Sequence, residues 1–399
     1  MNVISDPKFS DPKNLSPGND NPAAALGPHE LDAAPGILSI DLDAIAANWS
    51  SLDSRAVPAE CAAVIKADAY GCGLTPVTRR LAAAGCKTFF VATLDEARQA
   101  RNAARQATIY VLDGFFSNCG DVFAALDCRP VIGDLTELAE WDAFRRNSGW
   151  RGPAAIQIDT GMNRLGLTIP EAQGLVPLAQ KGGGEIALVM SHLSSAEDLH
   201  QASNARQLEA FREIASQFSG VRTSLANSSG IFLGPQFQFD MVRPGAALYG
   251  VNPTPEADSP MRPVVHLKAR VAQIRSVEKG ASVGYNGLWT ARRPTKLAIV
   301  TAGYADGYFR AGSGIDGTRS ADAIVAGQRC QIAGRISMDL IAIDITEVPP
   351  GALRRGQFVT LIGDGITVDE LAHHFGTIGY EVLTSLGQRF ARVYRGEAT

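Results

Sequence analysis

The chain has 399 residues, 45% of them hydrophobic, and a formal net charge of −4. This length and hydrophobicity allow a large core and favour two domains over one. The charge argues against the positive field of a nucleic-acid-binding protein, and no apolar run in the sequence is long enough to span a membrane.

The six cysteines include no Cys-x-x-Cys pair, so they suggest neither a disulfide framework nor a metal site. The first 22 residues lack the basic start and apolar middle of a secretory signal. We therefore expect a cytoplasmic protein that acts without metal, membrane or nucleic acid.

The chain begins with a segment that differs in composition from the rest. Residues 1–35 contain six of the 21 prolines and a single aromatic residue, Phe9. Because this composition cannot bury a core, it predicts a disordered extension. From residue 36 the sequence GILSIDL is typical of a strand, and a helix with Asp43 as a plausible N-cap follows it.

Short strand-like runs then alternate with helical segments. This rhythm predicts parallel strands, and eight such strands predict a (β/α)₈ TIM barrel over residues 36–255. The strand at 36–42, which precedes these eight, belongs either to the barrel region or to a second domain. The eight runs lie at 62–67, 88–93, 107–112, 129–133, 155–160, 186–193, 222–228 and 241–250. Beyond residue 255 strand-like runs follow without helices between them, apart from VDELAHHFG, which predicts a mainly-β domain over 256–399.

Several reactive residues stand where the predicted barrel strands end. They are Lys66, Arg164, His192, Ser228 and Arg243, in strands one, five, six, seven and eight or just after them. Active sites of such barrels lie at the C-terminal ends of the strands, and a phosphate commonly binds after strands seven and eight. A lysine facing a phosphate site suggests a pyridoxal phosphate Schiff base, although each of these residues alone is more often structural.

The motifs around these residues resemble those of the alanine racemase family, whose members are fold-type III pyridoxal phosphate enzymes. The resemblance covers residues 36–396. The matching motifs, in chain order, are AVIKADAYGCG, DTGMNRLG, SHLSSAED, ANSSG, VRPGAALYG, SVGYNG, AGYADGYFR, GRISMDL and GTIGYEVLTSLGQRFARVY.

The resemblance implies two catalytic bases on opposite faces of the cofactor. Lys66 would bind pyridoxal 5'-phosphate covalently and act as one base. Tyr285 would be the other base, supplied by the partner subunit of a homodimer with shared active sites. A proton must leave one face of the α-carbon and return on the other, which two bases achieve more readily than one.

The resemblance also implies how the cofactor and an amino-acid substrate are held. Arg243, oriented by His192, would face the pyridine nitrogen, and the substrate carboxylate would contact Arg164 and the backbone of Met338. The implied cofactor-binding residues are Lys66, Tyr70, His192, Ser228, Arg243, Gly245, Ala246 and Tyr380.

Five positions depart from the common family pattern, the first being Asp68, where the lysine motif usually has asparagine. Gln157 stands where many members carry a carbamylated lysine that braces the arginine. Its amide oxygen can accept from Arg164 but carries no charge, so we predict a site without a carbamate, in which Arg164 is braced from elsewhere, for example by a bound anion. Asn286, Gly379 and Glu197 also differ from common forms. These departures bear on substrate breadth and turnover more than on reaction class.

The predicted activity is the interconversion of L-alanine and D-alanine, with a serine or broader-specificity racemase as the alternative. A decarboxylase of similar plan would place a carboxylate at the pyridine nitrogen, where Arg243 stands here. A pyridoxal phosphate carrier protein would be a single barrel without the second domain that holds Tyr285. The sequence does not distinguish D-alanine supply for the cell wall from alanine catabolism.

Overall fold

The computed structural model describes residues 33–180 and 185–396. Most of the predicted disordered extension, residues 1–35, therefore lies outside the described residues. Its last residues do not fit the prediction, because Ala34 is buried and the Pro35 carbonyl accepts a hydrogen bond from Arg270 N–H at 2.9 Å.

The first domain is a closed parallel barrel, as predicted. The first barrel strand is interrupted at Ala62, and its two halves, β2 and β3, pair with the last and second barrel strands respectively. The Ala62 N–H donates to the Val242 carbonyl at 3.0 Å, which continues the closing seam. The strands are β2 Glu60–Cys61, β3 Ala63–Val64, β4 Thr88–Val91, β5 Thr108–Val111, β6 Arg129–Ile132, β7 Ala154–Gln157, β8 Ile186–Met190, β9 Arg222–Ser224 and β10 Met241–Val242.

Helices surround the barrel. They are α1 Leu42–Ala56, α2 Leu74–Ala84, α3 Leu94–Ala103, α4 Gly120–Leu126, α5 Leu135–Ser148, α6 Ile169–Gln180 and α7 Ala202–Ala215. The predicted N-cap of α1 is wrong by two residues: Asp41, not Asp43, accepts from Ala44 N–H at 2.8 Å. Asp41 and Asp43 lie on either side of Leu42, where the helix begins, and aspartate is a favoured N-cap at either position. The residue type therefore does not tell which of the two caps the helix.

The barrel interior is filled by a cluster of buried side chains that point inward from successive strands. Phe90 and Tyr110 stack there with ring centroids 4.9 Å apart. Phe90 and Met190 also form the floor of the cavity at the barrel mouth. The buried side chains of this interior cluster are Ala62, Phe90, Tyr110, Val131, Ala155, Leu188, Met190 and Met241.

The second domain is built on the long strand β11, Val265–Val277, whose first seven residues alternate between buried and more exposed positions, as a one-sided sheet requires. Strand β1, Gly36–Asp41, pairs antiparallel with β11 and parallel with β19, so it lies in this sheet. The other strands are β12 Ser282–Val283, β13 Trp289–Thr290, β14 Thr295–Val300, β15 Asp322–Val325, β16 Gln328–Gln331, β17 Ile341–Asp344, β18 Phe358–Ile362 and β19 Ala391–Arg395.

Two helices of the second domain lie after β18. The predicted helix is α8, Val368–Phe375, and the second, α9, Gly379–Ser385, brings Tyr380 and Thr384 to the barrel mouth. Among the helices that the structure describes, none combines the length and the apolar character that a membrane crossing requires.

Candidate active site

A cavity of about 770 Å³ opens at the C-terminal ends of the barrel strands. Most of the predicted site residues line it together: Lys66, Tyr70, Arg164, His192, Ser228, Arg243, Gly245, Ala246 and Tyr380. Two predicted residues, Tyr285 and Met338, do not line the cavity of their own chain.

Lys66 begins a helical turn with unusual backbone geometry. Residues 67–70 all have φ between 53° and 55°, in the left-handed region. None of them is glycine, and each such residue costs roughly 1–2 kcal/mol. Arg392 of β19 donates to the Gly71 carbonyl and so links the second domain to this turn. Asp68, in place of the family's usual asparagine, accepts from Leu74 N–H at 2.7 Å.

The surroundings of Lys66 favour its neutral amine. Burial lowers the pKa of Lys66, and the nearby Arg164 guanidinium lowers it further, while Asp113 and Glu96 oppose the shift. A neutral amine is the form that attacks a carbonyl or accepts a proton. The cavity therefore suits a lysine nucleophile or base.

Arg243 lies on the barrel floor and is only 4% exposed. It donates to the Ser224 hydroxyl and, at 2.6 Å, to the Ser191 carbonyl. Among the described residues no hydrogen bond joins it to His192, although the two side chains lie close enough for their charges to interact, so the orientation of Arg243 by His192 stays a prediction. Burial lowers the pKa of Arg243 to about 10, which leaves the guanidinium charged at neutral pH.

Sequence reasoning missed Ser224 and Ser191 as partners of Arg243. Ser224 lies within β9 and its hydroxyl donates to the Met241 carbonyl at 2.6 Å. A fully buried serine in a short barrel strand was the available signal, because a buried hydroxyl needs hydrogen-bond partners.

A small polar pocket lies at the other side of the cavity. The Ser228 hydroxyl accepts from the N–H groups of Gly245 and Ala247 at 3.0 and 3.2 Å. A Cβ on Gly245 would lie 2.3 Å from the Tyr70 hydroxyl oxygen, so only glycine fits between them. Tyr70 in turn stacks on Tyr249 with ring centroids 4.7 Å apart. Hydroxyls and backbone N–H groups of this kind can bind a phosphate.

The rim of the cavity carries both charged and aromatic groups. Tyr380 donates to Glu197 at 3.2 Å. Gln157 donates to the Leu165 carbonyl at 2.9 Å and does not accept from Arg164. Arg164 forms no hydrogen bond or ion pair with any described residue. The guanidinium is therefore available for an anionic ligand.

Tyr285 lies on the surface of the second domain, in the turn between β12 and β13. Its side chain is 66% exposed and borders a groove with Arg275 and Arg335. Gly284 and Asn286 on either side have φ of 77° and 63°. Asparagine tolerates this region better than most residues, which accounts for the departure at Asn286.

His192 provides a prediction about acid stability. Burial, and then the charges of Arg243, Arg164 and Lys66, lower the pKa of His192 to about 3. In the unfolded chain a histidine titrates near pH 6.5, so below that pH the unfolded chain binds the extra proton. Between about pH 3 and pH 6.5 the free energy of unfolding therefore rises with pH. It falls by about 1.4 kcal/mol for each pH unit as acid is added.

When the pH is lowered from about 8 to about 5, the free energy of unfolding should fall by about 2 kcal/mol less in His192→Asn than in the unaltered protein. Urea unfolding at the two pH values measures this difference. His200→Asn is the control, because the His200 side chain is 85% exposed and its contact with Glu256, at 4.0 Å, is open to solvent and therefore weak. Equal acid sensitivity in all three proteins would contradict a buried, neutral His192.

Comparisons with known proteins agree with this architecture. Residues 40–253 match the model of the alanine racemase N-terminal domain, and residues 264–394 match that of the C-terminal domain. The chain is 52% identical over 357 residues to the alanine racemase of Methylobacterium nodulans, covering 90% of this chain and 95% of that protein.

Two relatives from Agrobacterium fabrum carry contrasting names. The biosynthetic alanine racemase is 41% identical and covers 92% of this chain and 96% of its own length. The catabolic one is 44% identical and covers 90% and 92% respectively. Identity to named relatives therefore does not separate the two roles.

A solved structure has the same fold. The crystal structure of alanine racemase from Bartonella henselae with covalently bound pyridoxal phosphate has a TM-score of 0.84 and 38% identity, covering 91% of this chain and all of that one. The barrel with its lysine-bearing turn, the second β domain and these matches over nearly the whole described chain lead to one conclusion: the chain belongs to the alanine racemase family.

Proposed function

We propose that this protein interconverts L-alanine and D-alanine with pyridoxal 5'-phosphate as its cofactor. The observation that carries the proposal is the convergence of Lys66, the buried Arg243 and the Ser228–Gly245 pocket in one cavity. Membership of the alanine racemase family supports the same reaction.

The cavity residues fit the cofactor. The Ser228 hydroxyl, the backbone of Gly245 and Ala246, and the hydroxyls of Tyr70 and Tyr380 would hold the phosphate, and the missing side chain of Gly245 leaves room for the Tyr70 hydroxyl beside it. Lys66 would hold the cofactor aldehyde. When bound, pyridoxal phosphate withdraws electrons from the α-carbon of the amino acid and so makes its proton acidic.

The side chains of this protein then decide what happens to that proton. The Lys66 amine removes or returns it on one face of the α-carbon, and Tyr285 acts on the other. Arg243 would face the pyridine nitrogen as a hydrogen-bond donor that retains its proton, which would limit electron withdrawal and disfavour side reactions such as transamination. Arg164 and the backbone of Met338 hold the substrate carboxylate.

The proposal requires a homodimer, because Tyr285 lies outside the cavity of its own chain. Two exposed apolar surfaces support this assembly. One lies at the cavity rim, where Leu165 and Ile378 are 59% and 60% exposed, and the other includes Tyr285, Met338 and Leu340 on the second domain. A two-fold axis that joins the two surfaces buries both and brings each Tyr285 to the partner's cavity.

The inner end of the cavity is proposed to be narrowed by Tyr380 and the partner's Tyr285, which favours a substrate with a small side chain. Serine is the alternative substrate. The predicted cytoplasmic location, the cell-wall or catabolic role and the absence of a carbamate near Gln157 stay predictions.

The first experiment combines an absorbance spectrum of the purified protein with a chiral assay. We expect an absorbance band from lysine-bound cofactor and the formation of D-alanine from L-alanine, with slower conversion of serine. An absorbance band without D-alanine would contradict the alanine racemase assignment and favour decarboxylation or another substrate. A protein that binds no pyridoxal phosphate would contradict the whole proposal.

A further inference from the structure

We propose that Glu96 is a positioning residue for Lys66: its carboxylate holds the backbone of the turn that Lys66 begins. This inference rests on the proposed function, since it matters only if Lys66 reacts. Glu96 lies in the first turn of α3, outside the residues that line the cavity.

One oxygen of Glu96 contacts the lysine-bearing turn. Glu96 Oε1 accepts from Ala67 N–H at 2.6 Å and from Asp68 N–H at 3.4 Å. These are the two residues that directly follow Lys66, and both have left-handed backbone angles. A strained backbone persists only where its surroundings hold it, and this carboxylate is a group that does so.

The other oxygen of Glu96 contacts the end of the neighbouring strand. Glu96 Oε2 accepts from Ala92 N–H at 2.8 Å and from Thr93 N–H at 3.3 Å. Thr93 accepts in return from Glu96 N–H, which completes the N-terminal capping box of α3. One side chain therefore connects the end of β4 to the turn after β3, and so fixes Lys66 relative to the barrel.

All four partners of Glu96 are N–H donors, so the site requires two acceptor oxygens. Glutamine has only one acceptor oxygen. Its NH₂ group would point at backbone N–H donors in either orientation of the amide. A capping box alone would use only the contacts with Thr93. Helix capping does not explain the contacts of Glu96 with Ala67 and Asp68 in the lysine-bearing turn.

The chain offers a matched control at the start of α6. Glu171 accepts from the Thr168 N–H and hydroxyl, each at 2.8 Å, and Thr168 accepts from Glu171 N–H. This pair makes the same reciprocal capping contacts, and within the described part of the chain neither residue bonds to Lys66 or lines the cavity. Glu171→Gln therefore reports the effect of weakening a cap without touching the lysine turn.

The experiment compares the full-length protein with its Glu96→Gln, Glu96→Asp and Glu171→Gln variants. After removal of the cofactor, each protein is mixed with pyridoxal phosphate and the adduct is trapped with borohydride over time, with Lys66 identified by peptide mass spectrometry. Hydrogen exchange of the peptide that contains residues 67–73 is measured in parallel. The first readout concerns Lys66 alone, and the second needs no cofactor.

For Glu96→Gln we expect labelling of Lys66 to slow by about tenfold, with exchange in residues 67–73 faster by a similar factor. Glu96→Asp keeps the charge in the first turn of α3 but is one methylene shorter, so it should also lose the contact with Ala67. It answers the same question if Glu96→Gln does not fold. Glu171→Gln should match the unaltered protein in both readouts.

The outcomes separate the two proposals. Lys66 that is never labelled in the unaltered protein would overturn the proposed function. Lys66 that is labelled at an unchanged rate in both Glu96 variants, with unchanged exchange, would overturn only the role of Glu96. Slower labelling in Glu171→Gln as well would also overturn it, because general destabilisation would then explain the effect.

Discussion

Replacing Lys66 with alanine is expected to abolish racemisation and the covalent attachment of pyridoxal phosphate. Lys66 is the lysine that lines the barrel cavity, and burial together with Arg164 lowers its pKa. Losing a base and the covalent anchor at once should reduce kcat by more than about 10³-fold. A chiral assay and the absorbance spectrum of the variant measure the two losses separately.

Lys87→Ala is the matched control for this prediction. Lys87 directly precedes β4, so it lies at the N-terminal end of the barrel, and it is exposed. In barrels of this kind the N-terminal ends of the strands contribute to stability, whereas the catalytic residues lie at the C-terminal ends. Lys87→Ala should keep both the absorbance band and the activity. A Lys66→Ala variant that still racemises alanine would show that another group is the base.

The fold was predictable because both domains carry regular local patterns. Alternating strands and helices predicted the barrel, and the helices Leu94–Ala103 and Leu135–Ser148 lie between barrel strands as that alternation requires. Helix α9, Gly379–Ser385, was not predicted. Its seven residues include one glycine and two β-branched residues, which weaken the helical pattern, and its position depends on packing against the lysine-bearing turn.

The candidate site was predictable only where a motif marks it. Lys66 and Arg243 stand out as charged residues at strand ends, where apolar runs stop. Ser224 and Glu96 do not stand out, because a serine in a strand and a glutamate in a first helical turn are ordinary residues. Their partners, Arg243 and Ala67, are 19 and 29 positions away in sequence. Contacts of that kind follow from the folded barrel and not from local pattern.

Replacing Tyr285 with phenylalanine is expected to lower racemisation by about 10²–10⁴-fold in both directions while leaving the cofactor bound. The hydroxyl is the only group removed, and Tyr285 is absent from the cavity of its own chain. The absorbance band should therefore be unchanged. Tyr394→Phe is the control, because Tyr394 is another tyrosine of the second domain, lies in β19 and does not line the cavity.

Mixing the two inactive variants tests whether the active sites are shared between subunits. In a hybrid of Lys66→Ala and Tyr285→Phe chains, one site combines an intact Lys66 with an intact Tyr285 from the partner, and the other site lacks both. Random reassociation makes half of the dimers hybrids, so we expect about a quarter of the unaltered activity to return. If Tyr285 served its own chain, every site would lack one base and mixing would restore nothing. Recovered activity would therefore establish both the dimer and the origin of the second base.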